Sequence, residues 1–135
     1  MNLLSWQLAA AQLMVAFLFG GSLLYSSTFA AFLFKTLPPS EAGILLRKAF
    51  TQFYLWLFAT SLISALLLVS IDPGSSLILA VIALITVPLR EQLMPAINAA
   101  SDAGDRQRFQ RLHLLSVFVG LCQIAAMAVV LLRAF

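Results

Sequence analysis

The residue types that most often carry chemistry are few in this sequence and stand apart from one another. It has one histidine, His113, and one cysteine, Cys122, and neither belongs to a paired spacing such as His-x-x-x-His. A metal centre needs several ligands together, and a haem held by two histidines needs a second axial histidine. We therefore predict no cofactor. Haem or copper bound by His113 is the alternative, with His113 a weak metal candidate.

Catalysis by a nucleophile and a base also lacks its residues. No charged residue stands close to Cys122 in its segment, so nothing there activates the thiol. The acidic residues all fall at predicted helix ends or in loops, at Glu41, Asp72, Glu91, Asp102 and Asp105. Because no catalytic residue can be named, the sequence predicts a protein that is not an enzyme.

Polar side chains also recur at helical spacing inside long apolar segments. Steps of three and four residues place such side chains on one face of a helix, and polar groups within apolar helices generally face a protein interior or a cavity. Two interpretations remain open. One is hydrogen bonding between helices, and the other is a polar cavity or pathway lined by Gln52, Thr60, Arg90, His113 and Gln123.

Four stretches without Asp, Glu, Lys or Arg must position these residues: 1–34, 49–71, 73–89 and 112–132. A helix of roughly 20 apolar residues crosses a bilayer, and the sequence is 62% hydrophobic and only 10% charged. The sequence therefore predicts an all-α integral membrane protein, an up-down-up-down bundle of four transmembrane helices. We expect one transmembrane domain over residues 1–135, with spans near 6–34, 48–71, 75–98 and 109–132.

The basic residues predict the orientation of the bundle. All but Arg133 fall in or beside two connections, at Lys35, Arg47, Lys48, Arg90, Arg106, Arg108 and Arg111. Because cytoplasmic loops carry an excess of Lys and Arg, we expect loops 35–48 and 99–111 to be cytoplasmic and both termini to lie outside a bacterial inner membrane. The net charge of +3 does not indicate nucleic-acid binding, since no basic face is interleaved with exposed aromatic residues.

Proline and capping residues predict where helices begin, end and bend. Ser40, followed by Glu41, is a candidate N-cap for the second helix, and Asp105 is one for the fourth. Pro88 removes a backbone hydrogen bond to the carbonyl of Leu84. We therefore expect a kink between Leu84 and Pro88.

Two runs resemble a known family. The run 32–38, followed by Gly43, Lys48, Phe50, Phe53 and Tyr54, is similar to the hallmark of the transmembrane protein 205-like family, small four-helix membrane proteins known in bacteria as a domain of unknown function. The run 109–116 is similar to the Phe-x-Arg-x-His-x-x-Ser pattern at the start of that family's last helix. The resemblance implies a four-helix membrane fold. It also implies that a family site would lie at the cytoplasmic rim, near Lys48, Tyr54, Arg111 and His113.

These observations together predict a non-enzymatic membrane protein that binds or passes a small solute, or assembles with other membrane chains. A haem- or metal-binding bundle using His113 and an accessory subunit without a ligand are the alternatives. The expected partners are the lipid bilayer and either further copies of the chain or another membrane protein, with no nucleic acid. The candidate ligand or cavity residues are His113, Arg111, Arg90, Lys48, Tyr54, Gln52, Thr60 and Gln123.

Overall fold

A computed structural model describes residues 2–135, and Met1, the first residue of the predicted uncharged stretch 1–34, lies outside the described residues. All regular structure in residues 2–135 is helical. It forms four long helices: α1 (Leu3–Thr36), α2 (Pro39–Leu68), α3 (Pro73–Asp102) and α4 (Arg106–Ala134). Each is long and apolar enough to cross a membrane, so the predicted all-α class with four candidate spans is confirmed.

The four helices pack in a ring in chain order. α2 contacts α1 and α3, and α4 contacts α3 and α1, with the most extensive contact between α2 and α3. A side-chain amide shows that α1 and α2 run antiparallel: Gln7, near the start of α1, donates to the carbonyl of Leu67, near the end of α2. The interior of the ring is apolar and includes Val15, Leu18, Leu57, Leu68, Leu79, Ile82, Met127 and Val130.

The outside of the ring is apolar as well. Large hydrophobic side chains point outward on every helix, including Leu77, Phe118 and Leu132, which are 66%, 66% and 86% exposed. Water-soluble monomers rarely expose contiguous apolar surface of this kind, whereas lipid tails require it. The outer surface therefore fits a hydrocarbon environment.

The helix ends agree with the sequence in one place and differ in two. The side chain of Asp105 accepts the backbone N–H of Arg108 at 3.2 Å, so the predicted N-cap of the fourth helix is confirmed. The prediction of Ser40 as N-cap is wrong, because α2 begins at Pro39 with Pro38 in the capping position, and proline fits the first helical position well. α2 also ends at Leu68, short of residue 71, because the N–H groups of residues 71 and 72 both bond to the Leu68 carbonyl.

Two of the helices contain one wider, π-helical turn each, at Tyr25–Phe29 in α1 and at Leu89–Leu93 in α3. The irregularity in α3 thus follows Pro88, whereas the sequence placed it between Leu84 and Pro88. Its position between Pro88 and Pro95 has a steric reason: in a regular α-helix the ring of Pro95 would strike the carbonyl four residues earlier. The wider turn shifts the bonding, and Met94 donates to Leu89.

One end of the bundle carries most of the charge, and we call it the basic end. It comprises the ends of α1 and α3 and the starts of α2 and α4, and it holds Lys35, Arg47, Lys48, Arg90, Arg106, Arg108 and Arg111. At the opposite end Arg133 is paired: its Nη2 lies 3.3 Å from Oδ1 of Asp72. Asp72 also caps α3 by accepting the N–H and hydroxyl of Ser75.

Asp72 should give the protein a measurable acid sensitivity. Hydrogen bonds from Ser75, assisted by Arg133, hold the pKa of Asp72 below its ordinary value. A carboxyl group with a lowered folded-state pKa stabilises the fold above its unfolded-state pKa of about 4, and this contribution is lost as the pH falls through the folded-state value. We expect Asp72→Asn to lose less thermal stability than the wild type between about pH 5 and pH 3.

The measurement is the melting temperature in detergent at a series of pH values. Glu41→Gln is the matched control, because Glu41 is exposed and takes part in no ion pair within residues 2–135. This variant should keep the wild-type acid sensitivity. Identical pH profiles for Asp72→Asn and the wild type would contradict the role assigned to the Asp72 carboxylate.

Candidate functional site

The structure disperses the residues that the sequence singled out as ligand or cavity candidates. Within residues 2–135 no hydrogen bond or ion pair joins any two of the eight. Thr60 and Gln123 are buried, and Tyr54 and Arg90 are half-buried. The remaining four are exposed: Lys48, Gln52, Arg111 and His113.

The two buried members both have hydrogen-bond partners. Gln123 on α4 donates its amide N–H groups to the carbonyl of Ile82 at 3.3 Å and to the hydroxyl of Thr86 at 3.2 Å, both on α3. Thr60 donates to the carbonyl of Trp56 in its own helix at 2.7 Å. Hydrogen bonds between membrane helices typically contribute ~0.6 kcal/mol each. The Gln123 bonds join α4 to α3, as the first of the two sequence interpretations describes, whereas the Thr60 bond stays within α2.

Arg90 and His113 occupy separate surroundings at the basic end. Arg90 donates through Nε to the carbonyl of Thr51 on α2 at 3.2 Å and pairs with Glu91 through Nη1. His113 stacks on Phe109, one turn earlier in α4, with ring centroids 5.6 Å apart. Residues 2–135 contain no group of three or more His, Cys, Asp or Glu side chains placed to hold a metal ion. The prediction stays that of no cofactor, with haem or copper at His113 as its alternative.

A groove of about 680 Å³ lies between α1 and α2. Of the eight candidate residues, only Gln52 lines it. Its wall is almost wholly apolar, and the lining residues that carry a polar side-chain group are Gln52, Thr28, Tyr25 and Trp56. We call it the aromatic groove, and it is lined by Phe17, Gly21, Leu24, Tyr25, Thr28, Phe29 and Phe32 from α1 and by Gln52, Phe53 and Trp56 from α2.

Stacked rings build the floor of the aromatic groove. Tyr25 of α1 lies nearly parallel to Phe53 of α2, with centroids 4.7 Å apart, and also stacks on Phe29 at 4.8 Å. Phe53 continues the row to Trp56 at 5.8 Å. The Tyr25 hydroxyl donates to the carbonyl of Ala49 at 2.9 Å, which fixes the ring. Such aromatic pairs contribute about 0.5–1.5 kcal/mol each beyond the area they bury, so this row joins α1 firmly to α2.

Gly21 gives Trp56 its place in the groove wall. A Cβ atom on Gly21 would lie 2.6 Å from Cη2 of Trp56, closer than real Cβ contacts allow. Phe17, one turn before Gly21, meets the same indole edge-on at 5.2 Å. The indole therefore packs directly against the backbone of Gly21, and any side chain at residue 21 would displace it.

The π-helical turn of α1 lies within the groove. Ser26 and Ser27 donate their hydroxyls to the carbonyls of Ser22 and Leu23, four residues earlier in the helix, at 2.7 and 2.5 Å. Such bonds satisfy serine hydroxyls inside a helix. Single π-helical turns are frequent at functional sites, and this one carries Tyr25, Thr28 and Phe29 of the groove.

A two-point ion pair closes the basic end between α2 and α3. Arg47 Nη2 lies 2.6 Å from Asp102 Oδ1, and Nη1 lies 3.2 Å from Oδ2. The sequence places Arg47 among the basic loop residues without indicating this partner. Arg47 is thereby held by Asp102 on α3.

A comparison with protein families identifies the chain. The model of a family described as a domain of unknown function, DUF4149, matches residues 13–106. The chain belongs to the DUF4149 family. No curated protein and no solved structure matches it. The DUF4149 match contains the whole aromatic groove and the Arg47–Asp102 pair, and it ends before Arg111, His113 and Gln123.

Sequence reasoning missed the α1 side of the groove in this DUF4149 protein. The signal was present as Phe17, Gly21, Tyr25, Thr28 and Phe32, which follow one another at steps of four and three. Steps of four also connect Gln12, Ala16 and Gly20 on another face of α1, which the structure leaves exposed. Periodicity marks a helix face, but only the partner helix decides which face is used.

Proposed function

We propose that this DUF4149 protein is a non-enzymatic inner-membrane protein that binds the acyl chain of a membrane lipid in the aromatic groove. The observation that carries the proposal is the apolar lining of a groove that opens sideways between two lipid-exposed helices. Apolar walls with a few polar groups are typical of small-molecule sites, and its volume of about 680 Å³ lies in their usual range. A bilayer offers acyl chains to such a site at high concentration.

The shape of the groove favours a chain over a compact solute. Its α1 wall extends from Phe17 to Phe32, and 15 helical steps cover about 22 Å at 1.5 Å each. This is most of the ~30 Å hydrocarbon thickness. Passage of a polar solute is less well supported, because the buried amide of Gln123 is already bonded to α3.

The charge distribution supports the proposed orientation, with the basic end in the cytoplasm and both termini outside. Arg133, the one basic residue at the other end, is paired with Asp72, and its charge is locally balanced. The remaining Lys and Arg residues lie at the basic end, as the positive-inside rule requires of a cytoplasmic side.

We also infer a relation to the transmembrane protein 205-like family within the DUF4149 assignment. Three of the positions that carry the resemblance, Phe50, Phe53 and Tyr54, belong to one aromatic cluster, with Phe53 centroids 5.7 Å from both neighbours. Phe32, in the other part of the same motif, lines the groove. Two of the motif residues, Phe32 and Phe53, thus line the proposed site.

Trp56 is the reporter for the test. Trp6→Phe leaves Trp56 as the remaining tryptophan of the two in the chain. The protein is placed singly in phosphatidylcholine nanodiscs that contain increasing fractions of phosphatidylcholine brominated on its acyl chain. Bromine quenches tryptophan only at short range, so a chain lying in the groove should quench Trp56.

A matched pair of neighbouring substitutions gives the readout. Thr28 lines the groove, whereas Ser27, which is also exposed, does not. Thr28→Phe should lower the quenching by roughly half, since an added ring removes room for the chain, and Ser27→Phe should leave it unchanged. Equal quenching in both variants would contradict the proposal. Quenching that vanishes when a disc holds two copies would put a second copy in the groove and would contradict it too.

A further inference from the structure

We propose that the lipid bound in the aromatic groove is anionic and that Lys35 and Lys48 hold its phosphate at the basic end of the groove. This inference rests on the proposed function and adds the headgroup class. It follows from the position of the two lysines, from their freedom from acidic partners and from the polar side chains beside them.

Both lysines lie one helical turn beyond the last groove residue of their helix. Lys35 follows Phe32 by three residues on α1, and Lys48 precedes Gln52 by four residues on α2. Residues three and four apart share a helix face, and one turn rises about 5.4 Å. The two ammonium groups therefore flank the point where the apolar groove reaches the membrane surface.

The two lysines are free to meet an anion. Both are exposed, and neither takes part in an ion pair within residues 2–135. By contrast, Arg47 is held by Asp102 and Arg90 by Glu91. The helices that carry the two lysines, α1 and α2, contain one acidic residue within residues 2–135, Glu41. It stands seven residues before Lys48, about 10 Å further out along α2.

The groove also offers polar groups where the glycerol ester region of a lipid would lie. Gln52 and Thr28 are exposed within its wall. An amide and a hydroxyl can donate hydrogen bonds to ester carbonyls. The groove thus offers an apolar wall for an acyl chain, then Gln52 and Thr28 for the esters, then the lysines for the phosphate. This is the order of groups in a glycerophospholipid. A zwitterionic headgroup would place its own ammonium group beside the lysines and bind less tightly than an anionic one.

The test compares two brominated lipids with the Trp56 reporter in the Trp6→Phe background. Brominated phosphatidylglycerol or brominated phosphatidylcholine is added as a trace lipid to discs of unlabelled phosphatidylcholine. Phosphatidylglycerol should reach half-maximal quenching at a mole fraction about 25-fold lower, because each of the two lysines near the membrane surface favours an anionic lipid roughly fivefold. The double variant Lys35→Gln/Lys48→Gln should abolish this difference.

Two matched double variants keep the test specific. Arg106→Gln/Arg108→Gln removes two exposed cations from α4 at the same end and should leave the preference intact. Lys35→Arg/Lys48→Arg should also keep it, which separates lost charge from lost folding. Equal quenching by the two lipids in the wild type would overturn the inference, as would loss of the preference in the arginine variant. The proposed function survives those outcomes if Trp56 is still quenched less in Thr28→Phe than in Ser27→Phe.

Discussion

Replacing Phe53 by alanine is expected to lower the free energy of unfolding by about 2–3 kcal/mol. The Phe53 side chain is 7% exposed, and its ring lies within 5.8 Å, between centroids, of those of Tyr25, Phe50, Tyr54 and Trp56. Lipid tails are as apolar as the interior, so little of this loss comes from transfer. Most of it comes from ring contacts that disappear and from the cavity that remains.

Unfolding in mixed micelles of detergent and dodecyl sulfate measures the effect. Phe118→Ala is the matched control, because Phe118 is 66% exposed on α4. Phe118→Ala should change the free energy of unfolding by no more than about 0.5 kcal/mol. Similar losses in the two variants would mean that the aromatic row does not hold α1 against α2. Phe53→Ala should also weaken the quenching of Trp56 by brominated phosphatidylcholine, since the floor of the groove would collapse.

The second large effect on the free energy of unfolding is expected from Gly21→Ala, with Gly20→Ala as the comparison. A methyl group on Gly21 must displace the Trp56 indole, whereas one on Gly20 meets nothing within 4 Å. Overpacking of this kind typically costs about 1–3 kcal/mol. Glycine-to-alanine changes within helices otherwise stabilise by up to ~1 kcal/mol, so Gly20→Ala should be neutral or stabilising.

Two measurements together check the glycine pair. The unfolding free energies should separate Gly21→Ala from Gly20→Ala, and the Trp56 emission maximum in the Trp6→Phe background should move only in Gly21→Ala. An unchanged Trp56 emission in Gly21→Ala would show that the indole does not rest on residue 21. Equal stability of the two variants would contradict the close approach of α1 and α2 at that point.

The fold follows from the sequence because a bilayer imposes a simple requirement. Each crossing needs a long uncharged helix, and the positions of Lys35, Asp72 and Asp105 leave room for four crossings. The turns follow from the same logic, since Pro38, Pro73 and Gly104 suit short connections, and Gly104 has a positive φ of 70° that glycine tolerates. The prediction of Ser40 as N-cap was wrong by two residues. Pro39 takes the first helical position of α2, which proline favours, and this puts Pro38 at the N-cap.

The candidate site was much harder to predict than the fold. Polar spacing linked Gln52, Thr60, His113 and Gln123 to one interior, yet Gln52 and His113 are exposed. Near the ends of a span, headgroups and water satisfy a polar side chain, so its presence there does not require an interior. The groove depends instead on how α1 and α2 are turned toward each other. That orientation depends on contacts between the two helices, such as the packing of Trp56 on Gly21. The sequence of one helix alone does not reveal such contacts.

Two of the three ion pairs within residues 2–135 join different helices, and both involve α3. Asp72 ties α3 to Arg133 of α4 at one end, and Asp102 ties α3 to Arg47 of α2 at the other. Within residues 2–135 no ion pair reaches α1, which is held by packing and by hydrogen bonds such as those of Gln7 and Tyr25. Ion pairs thus connect α2, α3 and α4, whereas α1 joins them through aromatic and apolar contacts. Exchange of the proposed lipid between bilayer and groove would therefore break no ion pair to α1.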